Sequence, residues 1–151
     1  MVDQSVVGRC FTPVTARVEP GRLRYFFNTL GETNPVYRDA EVALAEGYEA
    51  VPVPPTYLFC LEMMDNDKPF EFLTELDIDL ARVLHGEQSF EYHAAVVIGD
   101  ILTFRPRVTS VTDKKGGAMT LIVIQTEVIN QHSTRVANSS RTIVVRNEMA
   151  S

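Results

Sequence analysis

A proline-rich segment leads directly into an apolar stretch near the middle of the chain. Residues 51–56 read VPVPPT, and residues 57–64 read YLFCLEMM. Proline is tolerated in the first turn of a helix, because the N–H that it lacks has no helical partner there. The residues that follow are apolar nearly all round, which is typical of a helix buried on every side. The sequence therefore predicts a buried central helix that starts at Pro55, Thr56 and Tyr57.

Short helices are predicted on either side of this central helix. Residues 21–31 read GRLRYFFNTLG, and their apolar side chains are spaced to share one face of a helix that ends at Gly31. Residues 40–46 are rich in helix formers and are followed by Gly47, a common helix terminator. Residues 65–80 mix acidic and aromatic side chains, which indicates a loop with one helical turn.

The pattern changes to strands after residue 87. The predicted strands, which are separated by turn-forming segments, span residues 88–93, 101–111, 119–128 and 136–145. An antiparallel sheet with helices on one face is an α+β architecture, in which the sheet can wrap around a buried central helix. We expect a single domain over residues 1–151, with loose ends at about 1–8 and 147–151.

Composition narrows the class of protein. A chain of 151 residues that is 45% hydrophobic suits one core. No apolar run approaches the ~20 residues that span a bilayer, so we expect a cytoplasmic protein without membrane contact. The formal net charge of -6 argues against nucleic-acid binding, which depends on clustered Lys and Arg. Four basic residues lie close together in the sequence, and we interpret them as solvated surface charges rather than phosphate contacts: Arg105, Arg107, Lys114 and Lys115.

Metal and nucleophile chemistry find no support in the sequence. Cys10 and Cys60 lack the spacing of a zinc site or a disulfide framework, so both are expected to be reduced. His85, His93 and His132 are not spaced as metal ligands, and no metal is predicted. The chain also lacks a Gly-x-Ser-x-Gly elbow, a phosphate loop and a dinucleotide fingerprint.

The segment LGETNPVYRD, residues 30–39, places a carboxylate in a turn between a helix and an extended loop. The Asn34-Pro35 step biases the backbone away from helix. This segment resembles the Gly-Asp-x-Asn-Pro-x-His signature of MaoC-like (R)-specific enoyl-thioester hydratases and 3-hydroxyacyl-thioester dehydratases. Glu32 stands where the signature has aspartate, and Tyr37 stands where it has histidine.

Two further segments extend the resemblance over roughly residues 22–146. They are Gly47-Tyr48 followed by PPT at 54–56, and LHGEQSFEYH at 84–93 followed by Gly99-Asp100. The second is similar to the N-terminal, non-catalytic half of MaoC-type dehydratases. The resemblance implies a hot-dog fold and an acyl thioester carried on CoA or an acyl carrier protein, without any other cofactor. It also implies a second hot-dog subunit, in a homo- or heterodimer.

Adding water to a trans-2-enoyl thioester requires a base, an acid and a hydrogen-bond donor to the thioester carbonyl. The resemblance implies that Glu32, Asn34 and Tyr37 belong to the catalytic loop, and that the Thr56 or Tyr57 amide serves the carbonyl. The extra methylene of Glu32 displaces its carboxylate, which can cost ~100-fold in a positioned site. An unperturbed phenol has a pKa near ~10, so Tyr37 is expected to donate a hydrogen bond rather than act as a base.

Three interpretations of Glu32 and Tyr37 stay open: they catalyse, they contact a ligand or partner without transferring protons, or they line a degenerate groove. In the last interpretation Asn34, Pro35 and Asp39 simply hold the loop. The function expected first is a subunit of an (R)-specific dehydratase or hydratase, a lyase of fatty acid metabolism, whose partner supplies aspartate and histidine. The alternatives are a self-sufficient homodimeric hydratase using Glu32, a non-catalytic acyl-thioester-binding protein, and a hot-dog thioesterase.

Overall fold

The structure of the chain, a computed structural model, describes residues 2–147. The elements run in the order β1 (Val14–Arg17), α1 (Pro20–Leu30), α2 (Ala40–Ala45), α3 (Tyr57–Met64), α4 (Glu71–Glu75), β2 (Val83–Tyr92), β3 (Ile101–Lys114), β4 (Met119–Ile129) and β5 (Arg135–Arg146). Residues 1 and 148–151, part of the expected loose ends, lie outside the described range. Among residues 2–147, no helix combines the length and apolar character that crossing a bilayer requires.

The five strands form one antiparallel sheet in the order β1-β3-β4-β5-β2. The strands β3 and β4 form a hairpin that is closed by a turn at Lys115–Gly117, where Gly116 and Gly117 both have positive φ. The strand β2 precedes β3 in the chain but lies at the opposite edge, paired with β5. The predicted α+β class and the sheet that curls around a helix are confirmed.

The helix α3 packs on the inner face of this sheet. Its side chains Tyr57, Leu58 and Leu61 are at most 1% exposed. They form one apolar cluster with α1 and with one end of the sheet. A second cluster lies around α4 and the other end of the sheet. The prediction of a buried central helix is therefore confirmed.

A buried ion pair adds charge to this largely apolar interior. Glu62 of α3 is 5% exposed and Arg141 of β5 is 7% exposed, with Arg141 Nη2 3.8 Å from Glu62 Oε1. The Arg141 guanidinium also lies 4.8 Å from the centre of the Phe72 ring. Within residues 2–147, Arg141 Nε has no hydrogen-bond partner. Burial raises the pKa of Glu62, and the charge of Arg141 opposes that rise.

The structure differs from the sequence-based expectation at both edges of the sheet. The short strand β1 was not predicted, although Val14–Arg17 pairs with residues 101–104 of β3. The strand β2 begins at Val83, five residues before the predicted start. At the amino terminus, which was expected to be loose, Gly8 N donates to Val108 O at 2.8 Å and Gln4 Nε2 donates to Val111 O at 2.9 Å. These contacts attach residues 4–8 to β3.

Gly86 occupies a bulge in β2, where the register with β5 shifts between His85 and Glu87. A Cβ at this position would meet Val144 Cγ2 at 2.9 Å and Thr142 O at 3.3 Å. We expect Gly86→Ala to lower the free energy of unfolding by about 1–3 kcal/mol, because the added methyl group displaces β2 from β5.

The matched control is Gly21→Ala in α1. An added Cβ at Gly21 meets nothing within 4 Å, and alanine is the better helix former, so this variant should be neutral or more stable. Urea unfolding of both variants checks the prediction. A Gly86→Ala protein as stable as Gly21→Ala would show that the bulge tolerates a side chain.

Candidate functional site

The candidate loop begins where α1 ends. Gly31 has φ 66°, and its N–H donates to the carbonyls of Asn28 and Phe27. Glycine accepts this left-handed conformation without steric cost, which lets the chain leave the helix sharply. Glu32 N then donates to Phe27 O at 3.0 Å. The turn places the Glu32 side chain at the start of the loop, as the sequence predicted.

The Glu32 carboxylate turns back onto its own backbone. Its Oε1 accepts hydrogen bonds from the N–H groups of Thr33 and Asn34, both at 2.8 Å. Such local side-chain to backbone bonds are typical of residues that shape a loop. No hydrogen bond within residues 2–147 uses the other carboxylate oxygen, Oε2. One oxygen of Glu32 is thus engaged by the loop, and the other makes no hydrogen bond to residues 2–147.

Asn34 and Asp39 hold the same loop. Asn34 Oδ1 accepts from Val36 N at 3.0 Å and caps the turn Pro35–Tyr37. Asp39 Oδ1 accepts from Glu41 N at 2.8 Å and caps α2. Both side chains satisfy backbone N–H groups that would otherwise lack a partner at the start of a helical turn. Their geometry is that of loop-forming residues.

Tyr37 is a half-buried phenol packed against α1. Its ring centre lies 5.4 Å from that of Phe27. Burial raises the pKa of Tyr37, and the nearby Tyr48 and Glu32 raise it further. The hydroxyl therefore stays protonated at neutral pH. It can donate a hydrogen bond to a ligand, but it is a poor proton acceptor.

Arg38 fastens the loop, a role that the sequence did not reveal. Its Nε and Nη2 donate to the backbone oxygen of Glu32 at 3.0 and 2.6 Å, and Nη1 donates to Asn28 Oδ1 at 3.1 Å. The guanidinium lies 6.0 Å from the centre of the Phe27 ring. Because these contacts reach both sides of Gly31, they fix the direction in which the loop leaves α1. The sequence signal for this role was an arginine directly after the motif, close to a turn whose backbone carbonyls can accept hydrogen bonds.

The start of α3 forms the second part of the candidate site. Pro55 and Thr56 are exposed, whereas Tyr57 is fully buried. Tyr57 N donates to Pro54 O at 3.0 Å, and this bond removes it as a free donor. Within residues 2–147, no hydrogen bond uses the Thr56 amide. Of the two predicted carbonyl donors, Thr56 is the one whose N–H is unengaged.

The helix α1 links the two parts of the site through consecutive aromatic residues. Phe26 packs on Tyr57, with ring centres 5.1 Å apart, while Phe27 packs on Tyr37. Tyr57 belongs to the buried cluster around α3, and Tyr37 packs against the same cluster. The structure therefore brings the loop and the start of α3 onto one apolar support.

Tyr92, a residue not singled out from the sequence, ties the β2 edge to the start of α3. Its hydroxyl donates to Pro55 O, and burial raises the pKa of Tyr92 to about 12. The histidines lie elsewhere. The His85 ring packs against Phe59 at 5.2 Å between centres, and His93 Nε2 lies 3.1 Å from Asn138 Nδ2. Residues 2–147 contain no group of three His, Cys, Asp or Glu side chains arranged to hold a metal ion.

Comparison with known proteins gives the family. A protein-family model described as "FAS1-like, dehydratase domain region" matches residues 5–139. The chain belongs to the FAS1-like dehydratase-region family. A curated relative, a "UPF0336 protein" of Streptomyces coelicolor, is 35% identical over 96% of this chain and 95% of its own length.

Solved structures agree with the fold of this family member. The HadBC (3R-hydroxyacyl-ACP dehydratase) complex of Mycobacterium tuberculosis includes a chain with TM-score 0.77 and 22% identity, covering 91% of this chain and 96% of that one. A "MaoC-like dehydratase" matches with TM-score 0.81 and 24% identity, covering 95% of this chain and 43% of the longer one. The hot-dog fold and the MaoC-like resemblance predicted from the sequence are confirmed.

Proposed function

We propose that this chain is a subunit of an (R)-specific 3-hydroxyacyl-thioester dehydratase or enoyl-thioester hydratase, whose catalytic aspartate and histidine come from a partner hot-dog chain. The observation that carries the proposal is the state of Glu32 and Tyr37. A carboxylate oxygen bound to two backbone N–H groups and a phenol with a raised pKa stand where the family signature has an acid–base pair.

The reaction explains why this substitution matters. Water addition needs a base to deprotonate water and an acid to protonate the α-carbon, and both must change protonation state near neutral pH. Tyr37 is ill suited to that exchange, because its pKa lies above the ordinary value for a phenol. What this chain retains is the unengaged Thr56 amide at the positive end of the α3 dipole, which suits the enolate oxygen of a bound thioester.

The free edge of β2 supports the need for a partner. This strand has ten residues and pairs with β5 on one side, while its other edge has no strand partner within residues 2–147. A long unpaired edge strand is a template for pairing with another chain. Leu84 of β2 is 52% exposed, which adds apolar surface at that edge. We propose a second hot-dog subunit there, either a copy of this chain or a related one.

The proposal includes the carrier and the setting. The acyl group is carried on CoA or an acyl carrier protein, no further cofactor takes part, and the complex works in the cytoplasm in fatty acid metabolism. The chain's part is to shape the acyl-binding region and to present the Thr56 amide, alongside the acid–base pair of its partner.

A second candidate is a self-sufficient homodimeric hydratase. The observation that favours it is the Oε2 atom of Glu32, which makes no hydrogen bond within residues 2–147 and can accept one from a water molecule. In this alternative Tyr37 donates a hydrogen bond to the same water.

Substitutions in the active complex distinguish the two candidates. We expect Glu32→Gln in this chain to leave enoyl-thioester hydration within about threefold of wild type. Asp→Asn in the partner's signature should lower it by at least about 100-fold, because it removes a general base. Glutamine keeps an oxygen that accepts from Thr33 N and Asn34 N, so the loop should persist. A loss in Glu32→Gln that matches the partner's loss would transfer the catalytic role to this chain.

A further inference from the structure

The buried ion pair between Glu62 and Arg141 leaves its hydrogen-bonding capacity unused. The distance from Arg141 Nη2 to Glu62 Oε1 is 3.8 Å, which is too long for a hydrogen bond. Within residues 2–147, neither side chain makes a hydrogen bond to another group. Buried polar groups without a hydrogen bond are costly, and most of them have a partner. The pair therefore has several donors and an acceptor to offer to a bound molecule.

Both side chains lie at the floor of a small cleft that opens to solvent. The cleft has a volume of about 90 Å³, and the exposed residues Thr12 and Lys68 lie at its mouth. Its walls include three buried residues: Phe11, Phe72 and Pro106. Because the share of one water molecule in the liquid is about 30 Å³, this space fits a group of only a few heavy atoms.

The Arg141 guanidinium presents its edge to this cleft. The Phe72 ring covers one face, with Arg141 Cζ 4.8 Å from the ring centre. The N–H groups of a guanidinium point outward in its plane, so stacking on one face leaves them free. Of the three nitrogens, Nε is sealed from solvent, whereas Nη1 and Nη2 keep some exposure. The terminal N–H groups are therefore the donors that a ligand can reach.

The charges around the cleft select a neutral ligand. An anion bound to Arg141 would lie beside the Glu62 carboxylate, and a cation bound to Glu62 would lie beside the guanidinium. Both side chains are more than nine-tenths buried, so solvent screens either repulsion weakly. The other charged side chains of the lining are already in ion pairs: Lys68 with Glu71 at 3.0 Å, and Glu75 with Arg9 at 2.8 Å.

A primary amide matches both partners at once. Its oxygen accepts a hydrogen bond from Arg141 Nη2, and its nitrogen donates one to Glu62 Oε1. Hydrogen bonds to charged groups are stronger than those between neutral groups. A ketone of the same shape lacks the donor, and a carboxylate lacks the donor and is also repelled by Glu62. A short apolar stem on the amide would contact the Phe11 and Phe72 side chains of the walls.

We propose that this cleft is a binding site for a small neutral molecule that ends in a primary amide. Glu62 and Arg141 bind the amide, and the apolar walls bind its stem. None of the residues that line the cleft belongs to the loop 30–39 or to residues 55–57 at the start of α3. The site is therefore separate from the candidate hydratase site, and its test does not depend on hydration.

Three small probes of nearly equal shape test this selection: propionamide, propionate and butan-2-one. Each is titrated into the full-length chain at pH 7, while NMR follows the Arg141 side-chain signals and the backbone amides around the cleft. We expect propionamide to bind at least about tenfold more tightly than the other two, because butan-2-one loses a hydrogen bond to a charged group and propionate is repelled by Glu62.

A double variant tests whether the pair forms the site. Glu62→Gln/Arg141→Met removes both charges at similar volume and should weaken propionamide binding at least about tenfold. The matched control is Arg105→Met/Glu127→Gln, which removes an exposed ion pair of 3.6 Å on the outer face of the sheet. Its affinity should stay within about twofold of wild type. Thermal melts show whether each variant is folded, and the wild-type titrations need no variant.

Four results would overturn the proposal. Propionate that binds as tightly as propionamide would mean that Glu62 holds a proton and that the site prefers anions. Equal binding of all three probes would mean that the walls alone bind the ligand. Unchanged affinity in a folded Glu62→Gln/Arg141→Met protein would place the amide elsewhere. No binding of propionamide to the wild-type chain would leave water as the occupant of the cleft.

Discussion

Replacing Arg141 with alanine is expected to lower the free energy of unfolding by about 3–5 kcal/mol, because it leaves the Glu62 carboxylate buried without its counter-charge. Both side chains are more than nine-tenths buried, so the Glu62 carboxylate has little contact with water to replace the lost partner. The guanidinium also covers the Phe72 ring, and its removal opens space there. Urea unfolding at neutral pH measures the loss.

The pH dependence of that loss follows from Glu62. Burial raises its pKa, so the folded state holds the proton more tightly than the unfolded state, and the resulting stability is lost as pH rises through the raised value. Without Arg141 the pKa rises further. The loss of unfolding free energy in Arg141→Ala should therefore be largest near neutrality and become smaller toward about pH 5. Glu62 and Arg141 line a cleft together with Lys68, Glu71 and Glu75. The charges of these three residues stay unchanged in both proteins.

The matched control removes both charges. The double variant Glu62→Gln/Arg141→Met keeps similar volumes and leaves no buried ion, so its stability should lie within about 1–2 kcal/mol of wild type. The outcome that contradicts this account is an Arg141→Ala protein that loses less than about 1 kcal/mol and shows no dependence on pH. Glu62 would then be solvated or protonated in the native protein.

Helices and strands could be predicted from the sequence where the pattern that indicates them lies within a few neighbouring residues. The spacing of Leu23 and Phe27, together with Gly31, predicted α1 and its end, and both side chains are buried as expected. The strand β1 was missed because Val14–Arg17 is only four residues long and gains its strand conformation from pairing with β3. The early start of β2 was missed because Gly86 interrupts the side-chain alternation from which strands are predicted, whereas the structure accommodates it in a bulge against β5.

The candidate site was predictable in residue type but not in geometry. The motif identified Glu32 and Tyr37, yet only the three-dimensional structure shows that Glu32 Oε1 bonds to its own loop and that Tyr37 packs on Phe27. Contacts between residues far apart in the sequence could not be predicted either. No local pattern in YLFCLEMM indicates that its glutamate meets Arg141, 79 residues later along the chain.

The dependence of hydration on a partner is expected to be the largest effect of all. General acid–base groups each contribute about 100- to 10,000-fold, and the proposal places both of them on the second chain. The isolated chain should therefore hydrate an enoyl thioester no faster than the uncatalysed reaction. A hot-dog partner with Gly-Asp-x-Asn-Pro-x-His should raise the rate by at least about 10,000-fold, since two acid–base groups become available together.

Hydration of crotonyl-CoA, followed by the loss of enoyl-thioester absorbance, tests the central claim most directly. Three samples are compared: the purified chain, its Glu32→Gln variant, and the chain mixed with such a partner. We expect background rates for the first two samples and turnover only in the third. Turnover by the chain alone that disappears in Glu32→Gln would contradict it, and would make this protein a self-sufficient hydratase that uses Glu32 as its base.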